Sequence, residues 1–301
     1  VSNCMSIEPL ETELGRKRKI NQASCNKDYS CVEGFCPSFV TVHGGKLRKQ
    51  GSKRDVAPTW NDELPHPAIP ELTRAFSILI GGIGGTGVVT IGQTLAMAAH
   101  VQGLYSSNLD ITGLAQKYGA VSSFVRVAPR PELLHSTRIA SGETDTMIGC
   151  DLVVAATDEA ISSLAGGKSY AVVCSDLIPT AEFTRNPDWK IDADTLMARL
   201  RGALGDRVLL FDGQRLAQSL MGDPIAANML MLGAAWQLGH IPLQLAAIDR
   251  AIELNGVAIS MNKEAFIWGR RAAHNLETVE RFLKANSPAQ VINIVPRLER
   301  R

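Results

Sequence analysis

From Phe76 onward the chain alternates short apolar runs with stretches of helical period, and before Phe76 it does neither. Phe76-Ser77-Ile78-Leu79-Ile80 reads as a buried strand, because a short apolar run closed by glycines suits a strand covered on both faces. An amphipathic helix follows from about Val88 to His100. Further strands are expected at Tyr105–Leu109, Ser122–Val127, Leu152–Ala156, Tyr170–Cys174 and Val208–Phe211, with helices between several of them. That rhythm predicts an α/β fold, a Rossmann-like doubly wound parallel sheet. After Asp212 the pattern is helical, at Gln214–Leu220, Pro224–Leu238, Pro242–Leu254 and Met261 to about Ala285; Gly239 and Pro242 supply stop and start signals. The expected divisions are a small irregular cysteine-bearing segment at 1–45, a mobile Lys-, Arg-, Gly- and Pro-rich linker at 46–74, the α/β domain with its helical C-terminal part at 75–286, and a tail at 287–301.

Composition narrows the function classes. A net charge of +1 gives no reason to expect nucleic acid or an anionic membrane as partner. The most apolar stretch, Ile225 to Ile248, is interrupted by Asn228, Gln237, His240 and Pro242, which suits a pair of buried helices better than a membrane span. The first residues, Val-Ser-Asn-Cys, show no initiator Met and no secretory pattern, so the N-terminus reads as a cut end and the location as cytoplasmic. Six cysteines in 301 residues are too sparse for a secreted disulfide framework. Cys150 and Cys174 stand alone in apolar runs, as small core hydrophobes do.

The other four cysteines crowd the N-terminus. Cys25, Cys31 and Cys36-Pro37 lie within a dozen residues, with Cys4 upstream. Four thiolates on a short irregular segment are what a [4Fe–4S] cluster requires, and a Cys-Pro ending recurs in ferredoxin-type runs. The four could hold one cluster or parts of two. A structural zinc site is the alternative, although paired C-x2-C units are absent.

Gly82-x-Gly84-Gly85-x-Gly87, directly after a strand and before a helix, fits a dinucleotide fingerprint, with Asp110 where a ribose-binding acid would sit. The same loop serves any tight strand-to-helix crossing. Gln116 and Lys117, in the loop Gly113-Leu114-Ala115-Gln116-Lys117 between two strands, could donate hydrogen bonds to a carboxylate or phosphate; a plain solvated loop is the alternative. His135, His240 and His274 have no nucleophile at recognisable spacing. The basic runs at Arg16–Lys19 and around Lys46 suit either a solvated segment or the steering of an acidic partner.

With these segments in view, the chain resembles the iron–sulfur and gamma-domain portion of the long bacterial indolepyruvate:ferredoxin oxidoreductases, within the 2-oxoacid:ferredoxin oxidoreductase group. The residues carrying the resemblance are Cys25–Val40, Gly82–Val88, Gly113–Lys117 and Asn255–Phe266. It implies a part of an enzyme that oxidatively decarboxylates aryl 2-oxoacids to acyl-CoA and CO2, with coenzyme A as co-substrate and ferredoxin as electron acceptor. Thiamine diphosphate and Mg2+ would be bound by other domains of the same enzyme, so this portion alone would be inactive; a homo-oligomer is expected. The resemblance implies Cys4, Cys25, Cys31 and Cys36 as iron ligands, and a cleft lined by Gly82, Gly84, Gly85, Gly87, Gln116 and Lys117. Where the family commonly has Gly and His, this chain has Tyr118 and Phe124. The rival readings are a non-catalytic nucleotide-binding module with structural zinc and an NAD-dependent dehydrogenase.

Overall fold

The computed structural model describes residues 7–20, 44, 64–84, 87–113, 119–177 and 192–286. Near the N-terminus β1 (Ile7–Thr12) and β2 (Gly15–Ile20) form an antiparallel hairpin turning at Gly15, whose φ is +87°. The cysteine-bearing portion is therefore not irregular throughout, as the sequence suggests.

The main sheet has six strands: β3 (Phe76–Ile83), β4 (Tyr105–Thr112), β5 (Ala120–Ala128), β6 (Thr146–Gly149), β7 (Tyr170–Cys174) and β8 (Val208–Phe211), in the order β4-β5-β3-β6-β7-β8. β3, β6, β7 and β8 run parallel, as an α/β fold requires. The sheet is thus parallel-dominated, as expected, and β5 is the exception, antiparallel to both β3 and β4. A seven-residue connection from Thr112 to Ala120 is too short for a parallel crossover, so the two strands must turn back on one another.

Alternation along each strand sorts the core onto two faces. Ile78, Ile80, Val125, Ile148, Val172 and Cys174 face α1 (Val88–Val101) and the C-terminal helices. Leu79, Phe124, Met147, Ala171 and Val173 face α2 (Leu152–Ala155), α3 (Asp158–Ser163) and α4 (Ala193–Leu204). The expected strand at 152–156 is thus a helix. Asp151 caps it by accepting the Val154 amide at 2.9 Å, and the true strand is the shorter Thr146–Gly149.

The C-terminal part comprises α5 (Gly213–Met221), α6 (Ala227–Gln237), α7 (Leu245–Asn255), α8 (Ile259–His274) and α9 (Leu276–Asn286). The single helix expected from Met261 to Ala285 is two. Asn275 is extended, with φ −157°, and its Oδ1 accepts the Thr278 amide at 3.0 Å to start α9. No described helix is long and apolar enough to cross a membrane. The end of the expected linker is docked: Pro65 O accepts from Gln237 Nε2 at 2.7 Å, and the His66 ring stands edge-on to Trp236.

Helices α6 and α8 touch backbone to backbone. A Cβ added at Gly233 would lie 2.0 Å from the Phe266 carbonyl oxygen, and one at Gly269 would lie 1.8 Å from that of Leu230. Neither contact can be relieved by turning a side chain. Gly233→Ala and Gly269→Ala should each destabilise the fold by about 2 kcal/mol or more through overpacking. Gly202→Ala, in α4 with open space around it, should stabilise by up to about 1 kcal/mol. Thermal denaturation checks both signs, and equal effects at the three positions would contradict this packing.

At the opposite end of the sheet from the glycine loop, His240 stacks on Tyr170 with ring centroids 4.1 Å apart, and burial lowers its pKa to about 4. The unfolded imidazole takes its proton near pH 6.5, so this residue's contribution is complete above that pH and lost as pH falls toward 4. His240→Phe should flatten the stability profile across that window, measured by denaturant midpoints at stepped pH.

Candidate functional site

The carboxyl ends of β3, β6, β7 and β8 form one edge of the sheet, the position where open α/β sheets place ligands. Gly82 lies in β3, Gly84 just beyond it, and Gly87 precedes α1 with φ +98°, a value glycine tolerates best. Gly82 has a packing reason of its own. A Cβ there would sit 2.6 Å from Val88 Cγ2 and 2.9 Å from Cys150 Cβ. At Gly84 the nearest atoms would be 3.4 and 3.5 Å away, so that position has ordinary room.

The antiparallel β4–β5 connection returns to this same edge, since Ile83 pairs with Ala120 and Thr112 with Val121. The Gly84 amide donates to the Gly119 carbonyl at 2.8 Å, joining the two loops expected to line one cleft. Gly85, Gln116, Lys117 and Tyr118 lie outside the described residues, as do Cys4, Cys25, Cys31 and Cys36. Phe124 is 3% exposed and packs in the core with Leu79, so it is a packing group rather than a ligand contact at this edge.

One residue the sequence does not single out belongs here. Asn228, in the first turn of α6, is 6% exposed, and a Cβ on Gly87 would stand 3.4 Å from its Nδ2. Its signal in the sequence is a lone amide interrupting the apolar run after Ile225. The helices that follow β6 and β8 are capped by Asp151 and Asp212. Helix α1 has neither a side-chain cap nor an acid in its first turn, so its positive end favours an anionic group.

Asp110 is not placed as a ribose ligand would be. Its strand β4 is separated from β3 by β5, roughly 10 Å across two strand spacings. Its side chain joins a polar patch beneath α1, where Asn108 Nδ2 donates to Asp110 Oδ2 at 3.3 Å and Ser123 Oγ to Asn108 Oδ1 at 3.1 Å. The dinucleotide reading loses its acid.

No group of three or more His, Cys, Asp or Glu among the described residues could hold a metal ion. Cys150 and Cys174 are buried and free, and burial is the leading cause that pushes the Cys174 thiol up to about 12 and Cys150 up as well. The described residues thus offer no place for an iron–sulfur cluster. A hollow of about 420 Å³ lies on the other face of the sheet, floored by Leu79, Phe124 and Ile139 and bridged by the Arg138–Glu159 ion pair. Its Ser141 and Ser162 hydroxyls donate to backbone carbonyls and are already committed.

This architecture, a mixed α/β sheet with two joined loops at its carboxyl edge, defines a class that the comparisons identify. The family model for pyruvate ferredoxin/flavodoxin oxidoreductase matches residues 77–272, and the chain belongs to that family. Similar curated proteins include the indolepyruvate oxidoreductase subunits IorB of Thermococcus kodakarensis, 24% identical over 67% of this chain and 98% of that one, and of Methanothermobacter thermautotrophicus, 27% identical over 66% and 97%. A solved keto/oxoacid ferredoxin oxidoreductase gamma subunit from Geobacter sulfurreducens aligns with TM-score 0.47 and 20% identity, covering 66% of this chain and 98% of that one. The 2-oxoglutarate:ferredoxin oxidoreductase of Magnetococcus marinus gives TM-score 0.49 and 17% identity over 67% of this chain and 31% of that one.

If packing alone explains Gly82, then Gly82→Ala should lower the melting temperature through a cost of about 1–3 kcal/mol with no ligand present. Gly84→Ala should cost less than about 1 kcal/mol. A larger loss at Gly84 than at Gly82, read by calorimetry, would reverse the assignment.

Proposed function

We propose that this chain is the iron–sulfur and gamma-type portion of a ferredoxin-dependent 2-oxoacid oxidoreductase, with an aryl 2-oxoacid such as indolepyruvate as substrate. The observation carrying this reading is the family match over the α/β domain in a chain whose unmatched N-terminal part holds Cys4, Cys25, Cys31 and Cys36-Pro37. Support for the substrate comes from relatives named as indolepyruvate oxidoreductase subunits.

In this reading the four cysteines ligate [4Fe–4S] iron, and electrons leave one at a time to ferredoxin. Thiamine diphosphate with Mg2+, bound by other domains of the enzyme, supplies the electron sink that makes decarboxylation possible. The chain's own part is to bind and position. Gly82, Gly84, Gly85 and Gly87, with Gln116 and Lys117, line a cleft facing the thiamine or coenzyme A region. The uncapped start of α1 and the Lys117 ammonium favour phosphate oxygens there. The enzyme works in the cytoplasm as a homo-oligomer, and this portion alone does not turn over.

Preparation without oxygen should give a brown protein with iron and acid-labile sulfide, whose visible absorption bleaches with dithionite. Cys31→Ser should lose most of that iron. A colourless protein with one zinc per chain would favour the nucleotide-binding module instead. With thiamine-binding domains of such an enzyme supplied, ferredoxin reduction should depend on coenzyme A and be faster with indolepyruvate than with pyruvate or 2-oxoglutarate.

A further inference from the structure

The hairpin distributes its charge unevenly. Residues 7–20 carry three carboxylates, Glu8, Glu11 and Glu13, against four consecutive cations, Arg16, Lys17, Arg18 and Lys19. The register sets Glu11 opposite Arg16, with which it forms an ion pair, and Glu8 opposite Lys19. Lys17 instead faces Leu10 across the ladder, and Arg18 faces Pro9. Both are exposed, and no ion pair joins either to a described residue. Strand alternation sends them to opposite faces of the ribbon. Among the described residues β2 is paired on one side only, so its outer edge carries cations above, below and along an open backbone.

A lysine-rich edge strand can serve simply to block self-association. Two further facts point to a partner. The hairpin's net charge is only +1, but all four cations lie on β2 while Glu8 and Glu11 lie on β1, so the positive charge is concentrated on one strand. Cys25, the first thiol of the close run, follows the strand by five residues. We propose that the outer edge of β2, centred on Lys17 and Arg18, is the docking surface for an acidic one-electron carrier protein of the ferredoxin class. The inference rests on the functional reading above and adds where the carrier lands. Exposed charges of this kind act mainly on encounter, raising the association rate in a salt-dependent way. Cations on both faces let a carrier with an acidic rim engage the edge and both flanks together.

The test uses the full chain prepared without oxygen and a purified bacterial two-cluster ferredoxin. Association rates are measured at about 20 and about 500 mM salt, Debye lengths of roughly 20 and 4 Å. Lys17→Glu/Arg18→Glu should slow association at least about tenfold at low salt, a difference that vanishes at high salt. Lys17→Gln/Arg18→Gln should fall between that variant and the parent, and covers the case in which charge reversal disturbs the hairpin. Lys168→Glu/Lys284→Glu, with the same net change at exposed positions elsewhere, should stay within about twofold. Equal slowing by the two reversed pairs, or none by either, in a chain that holds iron and binds ferredoxin overturns the docking surface and leaves the functional reading intact. A parent chain with neither iron nor ferredoxin binding removes both.

Discussion

The antiparallel ladder between β3 and β5, from Phe76 against Val127 to Ile83 against Ala120, is the constraint on which the arrangement of the sheet's carboxyl edge depends. It inserts a strand where a wholly parallel sheet would seat β4. The Gly113–Gly119 loop is thereby returned to the end bearing the glycine turn, and the strand of Asp110 is held one place further out. Its register is fixed from both faces. Val121, Val125 and Val127 lie in the α1-side core, while Phe124 lies in the other. Slipping β5 by one residue would exchange these sets. A slip in one direction would bring Phe124 to the place of Ser123, whose Oγ already lies so close that a Cβ on Gly92 of α1 would stand 2.2 Å from it.

The helical layer obeys a related rule, since close approach is bought by removing side chains. α6 has no polar face; all but its last residue are buried, so it must be covered on every side. The sheet covers one side and α8 another, the latter close enough that Gly233 and Gly269 meet opposing carbonyls. Arg270 then lies over the Trp236 ring at 4.8 Å and donates through Nε to Gln237, which itself holds Pro65. Desolvation lowers the pKa of that guanidinium, yet the ring and the amide keep it placed. Helix contact, buried cation and the docked Pro65-His66 are thus one connected packing unit.

Much of this was legible from residue patterns, and the exceptions have causes. The strands at Phe76, Tyr170 and Val208 and the glycine turn were readable because continuous apolar runs flanked by breakers suit buried parallel strands. The run Leu152-Val153-Val154-Ala155 misled, because β-branched residues resemble a strand until Asp151 is recognised as a cap. Asn275 hid a helix boundary in the same way, through a side chain that competes for backbone amides. Strand direction depends on pairing across the sheet, which periodicity does not encode. Of the residues expected at the sheet edge, Gly84 does meet Gly119, while Asn228 approaches Gly87 from more than a hundred residues away and the strand of Asp110 lies one place further out.

The six cysteines fall into two populations, four within the first 36 residues and two buried in the α/β core. Metal ligation needs thiolate, so an iron site needs thiols whose protons can leave. Cys174 receives backbone hydrogen bonds from Gly213, Gln214 and Asp176, which pull its pKa down, and burial still outweighs them and pushes it up to about 12. Cys150 is held protonated by the same burial. These sulfurs complete the core under Gly82 and beside Gly213, where a metal would have to displace packed side chains. Burial thus keeps Cys150 and Cys174 as protonated packing groups rather than metal ligands. At the carboxyl edge of the sheet the described groups are backbone amides and the start of α1, with no cluster of metal-ligating side chains among the described residues.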